Sequence, residues 1–220
     1  MIPDVLFEDN HLLVLNKPAG VLVQADRTGD ADLLSAGKAY LKTQYAKPGN
    51  VFLGLVHRLD RPVSGVMVFA RTSKAAARLS EQIRQRTPQK VYWAIVEGKV
   101  TGAGICEDYL LKEAERVRVV PSNHPKGLRA ELDWKALTNR NGCSLLEIRL
   151  KTGRPHQIRV QLSSRGMPIL GDLRYGARSC FDGRNLALHC RSMTVNHPTT
   201  QEKLTFIAPL PAVWATFFPD

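Results

Sequence analysis

Long hydrophobic runs are missing from this chain. No stretch approaches the roughly 20 apolar residues that span a bilayer, and the opening Met-Ile-Pro-Asp-Val has no basic flank leading into an apolar segment. We therefore expect a cytoplasmic protein with no membrane association. Cysteine is also scarce: Cys106, Cys143, Cys180 and Cys190 form no close pair and have no histidine at zinc-finger spacing. That argues against a disulfide framework or a structural zinc and predicts reduced thiols. No glycine-rich phosphate cradle precedes a helix, and neither His57 nor His189 forms a metal pattern with a nearby carboxylate or thiol. Neither a metal nor a nucleotide cofactor is indicated. Ser64 has His57 nearby but no strand-to-helix nucleophile elbow, so serine hydrolase chemistry is a poor match. Repeats, low-complexity tracts and linker-like composition shifts are absent as well.

Positive charge, by contrast, is abundant. Thirty-one Lys and Arg stand against 20 Asp and Glu, a net charge of +11, and the sequence pI is about 9.8. A soluble basic protein and a nucleic-acid partner both fit that balance. With 220 residues, 44% of them hydrophobic, the chain can bury its own core.

Hydrophobic periodicity and turn formers predict the elements. Val5–Phe7 and Leu12–Asn16 read as short strands broken at Asp9 and Asn10, and Lys17-Pro18-Ala19-Gly20 turns into Val21–Val23. A helix capped by Asp30 or Asp32 carries Leu33, Leu34, Tyr40, Leu41 and Tyr45 and ends before Pro48-Gly49. Extended segments 51–56 and 66–70 bracket a polar turn holding Asp60, Pro62 and Gly65. Thr72 or Ser73 caps a second helix with Ala75, Ala76, Leu79 and Ile83 inward, stopped by Thr87-Pro88. Val91–Val96 is apolar on both faces, as in a central strand, with Tyr92 inside. Residues 101–130 are polar and predict a hairpin or a mobile insertion. Leu145–Leu150 is a strand, and Thr152-Gly153-Arg154-Pro155 opens a helix with proline in its first turn and Gly166 at its end. Short strands near 186–189 and 204–207 follow. The element pattern favours one α+β domain over residues 1–220.

Two residues stand out chemically, each with an ordinary alternative. Asp60, flanked by Leu59, Val63 and Val66, is either a solvated turn aspartate or a partly desolvated, reachable nucleophile or base. Arg159 is either an outward arginine on a basic helix or a cation that keeps a carboxylate ionised. Tyr92 fits a core position and also a platform on which a base could stack.

Several segments taken in order resemble the RluA family of pseudouridine synthases over about Val5 to Pro211. They are Asn16-Lys17-Pro18-Ala19-Gly20, His57-Arg58-Leu59-Asp60-Arg61-Pro62-Val63-Ser64-Gly65, Lys90-Val91-Tyr92-Trp93-Ala94, Thr152-Gly153-Arg154-Pro155-His156-Gln157-Ile158-Arg159, and Gly166–Asp172 with Tyr175-Gly176. Leu188-His189 and Asn196-His197-Pro198 are also similar.

The resemblance implies a large mixed, mainly antiparallel sheet flanked by helices, with a central RNA-binding cleft. It also implies a cofactor-independent isomerase of uridine in transfer or ribosomal RNA. Asp60, Tyr92 and Arg159 would be catalytic, with Arg58, Arg154, His156 and Ile158 binding RNA or the target base and His57 structural. A monomer without the S4 RNA-binding domain of many relatives is expected. Val63 in place of the usual threonine, and Gln161 where histidine often follows the third-motif arginine, bear on subfamily and substrate. Rival readings are a non-catalytic RNA-binding or assembly factor and a glycosidase-like hydrolase. The hydrolase needs a second carboxylate, for which Asp172 is a remote candidate.

Overall fold

The structure, a computed structural model, describes residues 1–114 and 116–218. In chain order its elements are β1 (Asp4–Glu8), β2 (Leu12–Lys17), α1 (Leu33–Gln44), β3 (Gly54–Leu55), β4 (Ser64–Ala70), α2 (Ser73–Gln85), β5 (Gln89–Glu97), β6 (Ala103–Glu113), β7 (Arg116–Val120), β8 (Leu128–Arg140), β9 (Cys143–Leu150), α3 (Gln157–Ser163), β10 (Leu188–Asn196) and β11 (Lys203–Ile207). Short 3-10 turns occupy Leu173–Tyr175 and Ala212–Thr216. Strands that pair mainly antiparallel, with three helices, make this an α+β protein. Among the described residues no helix is long and apolar enough to cross a membrane. The chain divides into two compact units, Met1–Pro88 with Cys190–Leu210 and Gln89–His189 with Pro211–Asp220.

In the first unit the strand order is β1, β2, β4, β10, with β3 on β4 and β11 on β10. Asp9 makes the β1–β2 turn: its carboxylate accepts the amides of His11 and Leu12, both at 2.7 Å. All of Leu12–Leu15 and Val66–Ala70 is buried, which is why these strands show no polar alternation. Asp32 caps α1 by accepting the Ser35 amide, and Thr72 caps α2 by accepting that of Ala75. The α2 helix ends at Arg86 in the left-handed conformation, φ 59°, just before the expected stop. Gly65 is fixed by sterics as well as by its φ of 116°: a Cβ there would lie 2.3 Å from the Cys190 carbonyl oxygen.

In the second unit the order is β5, β9, β8, β6, β7, with Tyr92 opposite Ile148. Of the two expectations for residues 101–130 the hairpin holds, as β6 and β7, and the mobile insertion does not: the segment lies largely in the long antiparallel strands β6, β7 and β8. The part of this sheet formed by β6, β7 and β8 is covered on one face. Leu110, Val117 and Ala130 are buried with Val160 of α3, while Glu107, Arg129 and Glu131 pair in solvent and make the sequence look polar.

Three smaller corrections follow. The third helix starts at Gln157, not at Pro155, because His156 takes a left-handed conformation, φ 50°, that a helix cannot include. The strand expected at 186–189 is nine-residue β10, whose Arg191, Ser192 and Thr194 mask its apolar period. Of the extended segment 51–56 only Gly54–Leu55 is a strand.

Candidate active site

In the first unit, Asp60 occupies the turn between β3 and β4. Its carbonyl accepts the Val63 amide at 3.0 Å, and its side chain is half-buried between buried Leu59 and Val63. That matches a carboxylate partly removed from water yet reachable. Arg58, two residues earlier, is exposed. His57 accepts the Val68 amide through Nε2 at 3.0 Å, so this nitrogen is not available as an acid. Ser64 is buried, which further disfavours a serine nucleophile.

The turn is anchored from beneath by Lys17, which sequence reasoning had treated only as part of an adjacent turn. Lys17 is fully buried, and its Nζ donates to the carbonyls of Pro18 (3.0 Å), Arg61 (2.9 Å) and Val63 (2.7 Å). An ammonium has three hydrogens for these three acceptors, whereas a neutral amine has two. Burial pulls this group down from 10.5 to about 7, opposed by the Asp60 carboxylate and assisted by Arg61. The Gly20 amide donates to the Arg61 carbonyl and Arg61 Nε returns a bond to the Gly20 carbonyl, both 2.9 Å, so the turn carrying Asp60 is tied to residues 17–20 at several points. The available signal was a lone charged residue closing a strand that opens with four apolar ones.

In the second unit, Tyr92 is buried on β5, and Ile158 and Arg159 are buried on α3. Burial of Arg159 rules out the outward-facing alternative. Its Nε donates to Asp172 Oδ2 at 2.7 Å and its Nη2 to Asp172 Oδ1 at 2.8 Å, a side-on fork between two buried side chains. The Tyr175 ring lies 5.1 Å from the guanidinium carbon. Asp172, the hydrolase reading's second carboxylate, is thus engaged through both oxygens by Arg159 and buried with it.

Arg154 and His156 are half-buried. Arg154 donates its amide to Gln157 Oε1 and its Nε to the Arg129 carbonyl, each at 3.0 Å, while His156 Nδ1 lies 2.8 Å from the Tyr175 hydroxyl. Gln161 donates to Asp108 at 2.7 Å. None of the four cysteines forms a disulfide. Among the described residues no cluster of three or more His, Cys, Asp and Glu side chains could hold a metal ion.

Comparison with known proteins gives a consistent result. Residues 11–164 match the family model described as RNA pseudouridylate synthase. The chain is 38% identical over 216 residues to a Bacillus subtilis protein named uncharacterized RNA pseudouridine synthase YhcT, covering 95% of this chain and 69% of that protein. It is 33% identical over 219 residues to ribosomal large subunit pseudouridine synthase D of Zymomonas mobilis, covering 94% and 69%. The solved structure of human RNA pseudouridylate synthase domain containing 4 superposes with a TM-score of 0.81 at 25% identity, covering 96% of this chain and 90% of that one.

Proposed function

This chain belongs to the RNA pseudouridylate synthase family and is an RNA pseudouridine synthase, an isomerase; from that premise we propose that Asp60 is its catalytic carboxylate. The reaction breaks the bond from C1′ to N1 of a uridine, turns the uracil and rejoins it through C5, with no net redox change or hydrolysis. Asp60 either attacks C1′ or removes the 2′ proton, and both routes need it ionised. Arg159 supplies the positive charge that favours an ionised carboxylate. A base stacked in a helix must first be flipped out, at a cost of about a few kcal/mol; Tyr92 stacks on it and Ile158 contacts it. Arg58, Arg154 and His156 bind RNA, with an affinity that weakens as salt rises.

The observation that carries the reading is the tethered turn around Asp60. Lys17, Gly20 and Arg61 hold a single half-buried carboxylate in place, as expected where the geometry of one group matters. The substrate in this reading is a uridine of ribosomal or transfer RNA, and the Zymomonas relative's name favours the ribosomal large subunit. The enzyme works as a cofactor-free monomer in the cytoplasm, in keeping with its free thiols. Incubation with RNA tritiated at uracil C5 tests it: the native protein releases tritium and forms pseudouridine, whereas Asp60→Asn does neither while binding RNA within a few fold. Turnover by rigorously purified Asp60→Asn would refute the assignment, and free uracil as product would indicate a hydrolase.

A further inference from the structure

Between Leu33 and Leu59 the sequence carries no aspartate or glutamate, while Lys38, Lys42, Lys47 and Arg58 are all basic. Two of these stand together. Lys38 and Lys42 lie one turn apart on the exposed side of α1, and with Ala39 and the loop residues Gly49, Asn50 and Val51 they line a surface cavity of about 420 Å³. Among the described residues neither ammonium has an ion-pair or hydrogen-bond partner. Lys42 is in the last turn, where a cation complements the helix dipole. Lys38, in the middle of the helix, has no such reason to be there, and like charges four residues apart repel. Across the cavity, the amides of Gly49, Asn50 and Val51 have no acceptor among the described residues. A Cβ on Gly49 would meet nothing within 4 Å, so the backbone is bare on that side.

Strand register places this cavity relative to the Asp60 turn, which belongs to the same unit. Along β2 and β4, Lys17 faces Gly65 at the turn end and Leu12 faces Ala70 at the other. Helix α1 begins near the turn end, its Leu33 amide donating to the Leu22 carbonyl at 2.9 Å. It crosses the middle of β2 at Gly37, where a Cβ would meet the Leu13 and Leu15 side chains at 3.4 and 3.5 Å. Its far end is marked by the Tyr40 and Tyr45 hydroxyls, which donate to Glu8, the partner of Leu13. That carboxylate is already paired with Arg71 at 2.8 Å. Five residues of strand span about 17 Å, so the lysine pair stands on the order of 15 Å from Asp60, or roughly four or five nucleotides along a helical strand.

We propose that Lys38, Lys42 and the loop 49–51 form a phosphate site that holds the backbone of the RNA substrate several nucleotides away from the uridine at Asp60. This rests on the reading of RNA as the substrate and of Asp60 as the reacting carboxylate. Two unpaired ammonium groups facing backbone amides suit the anionic oxygens of a phosphodiester. The residues that line the cavity include no aromatic ring on which a base could stack and no carboxylate to accept from a base amino group. The site therefore fixes the RNA without reading its sequence. It lies too far from the reacting atoms to act on them, so its contribution appears in affinity and not in the rate of the bound complex.

The test uses the full chain and RNA labelled with tritium at uracil C5, prepared from cells lacking the gene. Affinity is titrated against salt, and the single-turnover rate is measured at saturating RNA. The double variant Lys38→Ala/Lys42→Ala is expected to bind about 10-fold more weakly near 0.1 M salt and to lower the slope of log affinity against log salt by about one to two. Its rate at saturation should stay within about 2-fold of native. Lys38→Arg/Lys42→Arg, which keeps both charges, should bind as the native protein does. Lys74→Ala/Lys203→Ala removes the same charge from other exposed positions of the same unit and should cost less than about 3-fold. Equal losses in the two alanine pairs would overturn the inference, since general charge would then explain them. So would native RNA affinity in Lys38→Ala/Lys42→Ala together with lost binding of inorganic phosphate, which would make this a site for a free anion. Failure of the functional reading looks different: the native protein would release no tritium, or Asp60→Asn would turn over.

Discussion

Replacement of Lys17 by methionine tests the tether beneath Asp60 through stability rather than turnover. Lys17→Met keeps a long apolar stem but removes the donor to three carbonyls. That of Arg61 retains the Gly20 amide, while those of Pro18 and Val63 lose this donor, at a cost of about 1–3 kcal/mol each if left unsatisfied.

The pH dependence of the loss is the sharper prediction. The folded chain binds the lysine proton more weakly than the unfolded one, about 7 against 10.5, so between these values the unfolded state carries more protons and native stability rises with pH. The slope is at most about 1.4 kcal/mol per pH unit, and the whole window is worth up to about 5 kcal/mol. The three carbonyl bonds favour the ammonium, shift the onset upward and make this figure an upper bound. Urea melts of both proteins at pH 6.5, 8 and 9.5 isolate the effect, because every other titrating group is shared and cancels in the difference. The stability of native minus variant should be level below the folded-state pKa and climb above it, so the onset reads that pKa directly. A difference that stays flat from pH 6.5 to 9.5, or falls, would refute the lowering of the Lys17 pKa by burial and show that the three carbonyls hold it as an ammonium.

Gly65→Ala should cost about 3 kcal/mol or more in denaturant melts, since it combines a positive φ with a backbone collision at Cys190, whereas Gly98→Ala, at φ 92° with open space, should lose only about 1–2 kcal/mol. Equal losses at the two sites would show that strand β4 and the Cys190 backbone are not in close contact. Tyr92→Phe should keep the stacking ring and substantial tritium release; complete loss of activity in a folded variant would mean that the hydroxyl, not the ring, does the chemistry.

What could be read from the sequence divides along physical lines. Strands β2, β4 and β5 and helices α1 and α2 were legible because their burial writes directly into periodicity and their caps use side chains of the residue itself, Asp32 and Thr72. The region of β6, β7 and β8 was legible only as a hairpin or an insertion, because a strand covered on one face and ion-paired on the other averages to a polar stretch. The helix boundary at His156 failed for a different reason: proline after a polar turn is the usual opening of a helix, and only the backbone conformation of the next residue shows that it opens later.

The same division applies to the site. Asp60, Tyr92 and Arg159 stand out once several segments are compared in order, but no local pattern separates Asp60 from an ordinary turn aspartate. Lys17 and Asp172 are harder still, since each acts on a residue 13 or more positions away. A charged residue inside an apolar strand and an aspartate followed by a Tyr-Gly pair carry no chemistry by themselves. Their meaning comes from three converging carbonyls and from a guanidinium fork, which exist only after folding. If these two residues do support the reacting groups, part of the active site's precision resides in side chains buried too deeply to touch RNA.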